Sequence, residues 1–208
     1  HLHVDGAQVP ASDGGTFALT TRVLELGFNY LASNVLIEIA NPFLSELSNV
    51  TRETTCLTEP DRLNMVYIAR YVSAQFVPLH MPIGSNVPMY CTASGRAYLS
   101  ALDEGSARSI IERSDRRPHT RHTSTDADEI MDKLGDCRRD GFALNREEMF
   151  LGDMNLAAPV LDSRGHPIGA VHVVAPTSRW SVEDAVQNLA PKLLQCARSV
   201  TMAMRTAD

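Results

Sequence analysis

Missing from this sequence is any run near the roughly 18 consecutive apolar residues that a helix needs to cross a bilayer. No charged-then-apolar leader opens it, so neither a membrane anchor nor a secretory signal is read from it. Cysteine is sparse: Cys56, Cys91, Cys137 and Cys196 lie far apart and make no CxxC pair. A disulfide framework is thereby disfavoured, and free buried thiols in a reducing cytoplasm are expected. Positive charge is short as well. The net charge of -6 leaves no general phosphate-binding surface, so any contact with DNA must come from outside the chain or from a local patch. The only basic cluster, residues 113–121 (RSDRRPHTR), lacks interleaved aromatics and reads as a solvated loop after a helix. GxSxG, HExxH, Walker A and GxGxxG are all absent, which sets an enzyme aside. What is present is 44% hydrophobic and 21% charged residues over 208 positions, enough for one large cored domain with an appendage. The chain opens on His1 rather than methionine and reads as a fragment.

Turn signals at Val4-Asp5-Gly6 and Asp13-Gly14-Gly15 predict short strands or loop over 1–19. Thr20-Thr21 offers N-cap hydroxyls to a helix that carries Val23, Leu24, Leu26, Gly27, Tyr30 and Leu31 on one face. A second helix from Ser33 or Asn34 turns Leu36, Ile37, Ile39, Ala40, Phe43, Leu44 and Leu47 inward, with a kink expected at Pro42. The period then changes. Residues 54–58, 65–69 and 76–80 read as strands, with Glu59-Pro60-Asp61-Arg62 as a turn. Helices are predicted over 92–99, 104–113 and 126–139, the last stopped by Gly141. Strands over 156–161 and 168–175 follow, then one long helix from Ser181 to Met204. This interleaving predicts an α+β domain with a central antiparallel sheet.

Few residues suggest chemistry. Glu147-Glu148 invites an acid–base role, yet adjacent residues on extended chain face opposite ways, and a surface pair is expected. His119 and His122 lack a third ligand nearby, and Pro118 argues for loop. At Thr92-Ala93-Ser94-Gly95 a strand-and-loop segment runs into a helix of small residues. Either its first-turn N–H groups meet an anionic ligand, or the small side chains only let helix approach sheet.

A family resemblance is carried by motifs in order along about 190 residues. LTTRVLELG (19–27) resembles the linker pattern LTxRVLxLG of the IclR family of bacterial transcription regulators. VYIAR (66–70) matches a family strand, and PIGSNVP (82–88) with CTASGRAYL (91–99) resembles its VGxxLPxHCTALGKALLA core. GFALNREE (141–148), LAAPV (156–160) and APTSR (175–179) are similar to further family segments.

The resemblance implies a GAF/PAS-like effector-binding domain: a curved antiparallel sheet flanked by helices, with a pocket between sheet and surrounding loops. It implies that residues 1–19 are the remnant of a winged helix-turn-helix wing and linker, and that 20–208 form the effector domain. The implied ligand is a small organic acid, aromatic ones included. No cofactor is implied. The implied partners are operator DNA, through an N-terminal domain preceding His1, and further copies of the chain, as dimer or tetramer. Position by position, the ligand contacts fall on Ala93 and Ser94, on Asn145 and Asn155, and on His172 and Val174. Phe76, Leu79 and Val87 supply apolar wall, with Asp153 close by. Asn145 stands where the family usually has Asp, and Gly152-Asp153-Met154-Asn155 and His172-Val173-Val174-Ala175 depart from its usual runs. Removing a carboxylate makes an anionic ligand easier to accept. His172 is either a hydrogen-bonded core residue or a ligand contact. A rival reading groups Cys91, Asp153 and His172 as a metal- or redox-responsive module or an enzyme on the same fold.

Overall fold

A computed structural model describes residues 8–10, 17–19, 21–75 and 81–207. The chain divides into two compact units, His1–Glu38 and Ile39–Asp208. In the first, β1 (Gln8–Pro10) pairs antiparallel with β2 (Phe17–Leu19), and α1 spans Val23–Ser33. The cap position of α1 is Arg22, whose side chain makes no capping bond, rather than Thr21; Thr20 lies outside the described residues. None of its residues is buried, and Leu24, Phe28 and Tyr30 are exposed, so the predicted apolar face is uncovered.

α2 (Val35–Thr51) is capped by Asn34, whose Oδ1 accepts from Ile37 N–H at 3.1 Å. Its helix continues through Pro42, which lies on the exposed side, while Ala40, Leu44 and Leu47 are buried. β3 (Thr55–Asp61) and β4 (Asn64–Tyr71) form a hairpin. Their turn is Arg62-Leu63, later than the sequence suggests, because β3 keeps its ladder through Asp61. Pro60 is tolerated there because β8 pairs with β3 only over Thr55–Thr58, leaving one edge open beside it. After β5 (Asn86–Pro88) come α3 (Ala93–Ser100), α4 (Glu104–Arg113) and α5 (Ala127–Asp140). α4 and α5 are capped by Asp103 and Asp126, and α5 ends on Gly141 in the left-handed region (φ 80).

β6 (Ala143–Arg146), β7 (Met154–Leu161) and β8 (Pro167–Val174) complete an antiparallel sheet of order β5-β4-β3-β8-β7-β6. Two three-stranded meanders thus meet along the β3–β8 seam. The predicted single C-terminal helix is two, α6 (Val182–Asn188) and α7 (Ala190–Ala207). Pro191 explains the break: it has no N–H to donate and its ring crowds the preceding turn. Among the described residues no single helix is long and apolar enough to cross a membrane.

Helices flank both faces of the sheet. α7 packs on β7 and β8 through buried Leu193, Ala197 and Val200. On the other face α3 lies over Ala143, Ala157 and Ala170, which share a core cluster with Ala97 and Leu99 of the helix. These alanines keep the sheet surface shallow beneath α3. Larger polar residues stand on the same face just beyond it, and that contrast makes room for a cavity.

Candidate functional site

Cross-strand register decides which side chains meet. Arg70, Cys56 and His172 are direct partners across β4, β3 and β8, so all three point to the α3 face. Two residues further on, Val174, Asn155 and Asn145 make a second row on that face across β8, β7 and β6. Tyr67 reaches the same face because a bulge between Leu57 and Thr58 resets the register, and its ring meets His172 edge-on at 5.2 Å.

Opposite these rows stands the start of α3. Thr92 is its N-cap: Oγ1 accepts from Gly95 N–H at 3.3 Å and donates to the Pro88 carbonyl at 2.7 Å. Ala93 and Ser94 hold the first-turn positions, whose N–H groups have no intrahelical acceptor. Gly95 accounts for the close fit of this turn. A Cβ on it would lie 2.2 Å from Met89 Cα, so the helix start is pressed against the 88–90 backbone. Gly95→Ala is therefore expected to lose about 1–3 kcal/mol in urea unfolding and to displace the first turn. An unchanged midpoint would refute the close-approach argument.

The loop after β6 closes the site. Glu147 (φ 57) and Gly152 (φ 79) reverse the chain, Glu147 N–H donates to the Asp153 carbonyl at 2.7 Å, and Gly152 N–H donates to Glu147 Oε1 at 2.7 Å. Met149, Phe150 and Asp153 are thereby set against the sheet. Glu148, expected on the surface, is instead buried and paired with Arg96 of α3, its oxygens 2.5 and 2.7 Å from the two guanidinium nitrogens. Burial alone would raise the Glu148 carboxyl. Arg96, the Ser124 N–H and Lys133 outweigh it and hold the group below the usual range. Residues 52 apart make this bond, a pairing that no local pattern announces.

Together these elements enclose a cavity of about 40 Å³. Of the residues expected at a ligand, Val87, Ala93, Ser94, Asn145, Asp153, Asn155, His172 and Val174 all line it. Phe76 and Leu79, with the strand expected over 76–80, lie outside the described residues. Cys56, Tyr67, Arg70, Met81, Thr92, Met149 and Phe150 also line it and were not anticipated. Period-two alternation would have put Tyr67 and Arg70 on opposite faces, and the bulge that unites them left no signal in the sequence.

The polar groups are unequally satisfied. Asn145 Nδ2 donates to the Cys91 carbonyl at 2.8 Å, and Asn155 Nδ2 donates to Asp153 Oδ2 at 2.6 Å. Arg70 Nη1 donates to the Met81 carbonyl at 3.2 Å. His172, 2% exposed, has no hydrogen-bond partner at either ring nitrogen. It is therefore not the hydrogen-bonded core histidine that was one alternative. An unpaired buried polar group costs about 1–3 kcal/mol, so leaving two needs a reason. Burial, with the Arg70 charge behind it, pushes the imidazole down to about 4 and keeps it neutral near pH 7. Burial pushes the Asp153 carboxyl up to about 6, with Asn155 opposing, and the Cys56 thiol up to about 12, with Arg70 opposing.

The rival grouping of Cys91 with Asp153 and His172 does not assemble. Cys91 is absent from the cavity lining, and burial pushes its thiol up to about 12, far from a reactive thiolate. No three His, Cys, Asp or Glu side chains among the described residues are grouped to hold a metal. His119 stacks on Tyr90, while His122 accepts from Arg121, so those two do not converge either. In the basic cluster, Arg116 donates to the Ile111 and Thr125 carbonyls and Arg117 pairs with Asp115, so both serve the loop itself. All four cysteines are free and buried.

Comparisons with known proteins fit this geometry. The family model for the bacterial transcriptional regulator IclR C-terminal region matches residues 28–202. The Pca regulon regulatory protein of Pseudomonas putida is 29% identical over 190 residues, which cover 91% of this chain and 65% of that protein. The chain thus spans just under two thirds of that relative. A Rhodococcus sp. RHA1 regulator of known crystal structure superposes with a TM-score of 0.86 at 32% identity, over 92% of this chain and 78% of its own. The inducer-binding domain of the Acinetobacter transcription factor PobR, a double mutant solved with 3-hydroxybenzoic acid, gives 0.72 at 27% identity, over 79% of this chain and 96% of that one. These relatives are transcriptional regulators, not enzymes. With 175 of its 208 residues (28 to 202) inside the family model, the chain belongs to the IclR family of bacterial transcriptional regulators, matching its C-terminal region.

Proposed function

We propose that residues 20–208 are a cytoplasmic effector-binding domain that takes a small organic acid into the cavity between α3 and the sheet. Residues 1–19 would be the tail of a winged helix-turn-helix wing, with the operator-reading helix before His1. The observation that carries this reading is convergence: Ser94, Asn145, Asn155, Asp153, Arg70 and His172, from separate parts of the chain, line one cavity. Most of these groups are hydrogen-bonded within the protein, but His172 is buried with neither ring nitrogen satisfied, a cost that a bound polar molecule would offset. The inducer-bound PobR domain supports the placement by analogy of fold.

The effector would change operator affinity only through unequal affinity for two arrangements of an assembled dimer or tetramer. A thermal-shift screen of carboxylic acids tests the reading. An acid present at 100 times its Kd is expected to add about 2.7 kcal/mol of stability. Ser94→Trp is expected to abolish that shift by filling the cavity at the helix start. Normal binding of the same acid by Ser94→Trp would remove this cavity from consideration.

A further inference from the structure

We propose that the face formed by α7, the end of β7 and the end of α5 docks an acidic amphipathic helix of a partner protein. The proposal does not depend on the effector reading, since none of the residues of this face lines the cavity beneath α3.

Charge is the first observation. The chain as a whole carries a net charge of -6. In this groove of about 550 Å³, however, Arg138, Arg139, Arg198 and Arg205 stand with a single acid, Asp140. Arg139 is held by Asp136 at 2.7 Å and by Asp140 at 2.9 Å. Arg138 donates from Nε to the Ser100 carbonyl at 3.0 Å, which leaves its charge uncompensated. Among the described residues Arg138, Arg198 and Arg205 make no salt bridge, and all three are exposed. Arg138 and Arg205 lie in the last turns of α5 and α7, where a cation also suits the helix dipole. Arg198 stands mid-helix and has no such role.

Pattern is the second. One stripe of α7, Leu193, Ala197 and Val200, is buried against the sheet. A second stripe, Leu194, Arg198, Met202 and Arg205, follows at spacings of four, four and three and lines the groove. Met202 is 68% exposed. Arginine and methionine together, with no lysine in the groove, are the composition of a protein interface, where both are enriched and lysine is depleted.

Shape is the third. The second stripe runs about 16 Å, the length of about three turns of a helix laid alongside. Gly141, Ala158 and Ala197 keep the floor shallow enough for another backbone to approach. A helix with apolar side chains against Leu161, Leu194 and Met202, and carboxylates along its flanks, answers both the floor and the arginines. A phosphate backbone would meet the charges and leave the apolar stripe uncovered.

The experiment is fluorescence anisotropy of the full chain with a labelled synthetic helix of about four turns, leucine along one face and glutamate along its flanks. The controls are the same peptide with lysine for glutamate, and a labelled DNA duplex. The glutamate peptide is expected to bind about tenfold or more tighter than the lysine peptide, with an affinity that falls as salt rises. Arg198→Glu combined with Arg205→Glu should weaken it about tenfold or more, and Met202→Asp about fivefold or more. Arg146→Glu, exposed outside the groove, should change it less than about twofold. Circular dichroism checks each fold, and Arg198→Gln should act in the same direction if the charge reversals disturb α7. No preference for the glutamate peptide, or duplex binding that the same arginine changes abolish, overturns the proposal. So does loss of a self-associated form in these variants by sedimentation, which would make a second copy of the chain the occupant.

Discussion

Glu148→Ala is expected to lower the unfolding free energy by about 3–5 kcal/mol, the cost of stranding a buried guanidinium. Arg96 is 1% exposed, and Glu148 is its charge partner in the interior. Its remaining bond, from Nε to the Tyr90 carbonyl at 3.0 Å, leaves the positive charge uncompensated. The same carboxylate also accepts from Ser124 N–H at 2.9 Å and Lys133 Nζ at 3.2 Å, so two further segments lose an anchor. Replacing both partners, Arg96→Met with Glu148→Leu, should cost far less than the single change, because no charge stays buried. Urea unfolding of both singles and the double gives the coupling. A single-variant loss under about 1 kcal/mol would show that water reaches Arg96 and that the pair is not truly buried. Binding of the proposed acid should weaken alongside stability, since Glu148 precedes Met149 and Phe150 and Arg96 lies two residues beyond Ser94 on the helix that begins at the cavity.

Stability should also depend on pH in opposite directions in two variants while wild type stays nearly level between about pH 4 and 6.5. His172 is depressed from 6.5 to about 4, so the stability it contributes is present above 6.5 and lost as pH falls through 4. Asp153 is raised from 3.8 to about 6, so its contribution is present below 3.8 and lost as pH rises through 6. Each change is about 3 kcal/mol, and across the shared window the two oppose each other. His172→Leu should therefore lose stability as pH rises from 4 to 6. Asp153→Asn should lose it as pH falls from 6.5 to 4. The other groups facing this pair are Arg70, Cys56 and Tyr67. Burial moves the thiol to about 12 and the phenol upward, so neither titrates in the window. Denaturant midpoints across pH, each variant compared with the double, provide the measurement. Parallel curves for the two single variants would show that neither group is desolvated as the geometry implies.

Local signals were read well where one residue type decides the outcome. Asp126 and Gly141 marked the ends of α5 and Thr92 the start of α3, while the Asp103 cap of α4 went unread although the helix bounds 104–113 were placed correctly. Strand existence followed from alternation, but the β3–β4 turn was placed early because Pro60 looked like a breaker and its open sheet edge was invisible. Pro191 was overlooked inside an amphipathic run, so two helices were read as one. The family resemblance pointed to His172, Asn155 and Asn145, which the fold places in one cavity wall. The salt bridge from Arg96 to Glu148 and the entry of Arg70 and Cys56 depend on which strands become neighbours. That is a property of topology, and no window of sequence contains it.

The β3–β8 seam has a consequence for how the protein is made. Thr58 bonds the carbonyl of Ala170, a residue 112 positions later, so the first meander leaves the ribosome long before its partner strand exists. Until then one edge of β3 has no ladder partner, and unpaired edges are where nascent chains associate wrongly. The cavity straddles that seam, with Cys56, Tyr67 and Arg70 on the early side and Asn155, His172 and Val174 on the late one. On the proposed reading, an effector present during translation would find nothing to hold until synthesis has passed Val174. Such a ligand could not chaperone the early half of the sheet and would only trap the finished one.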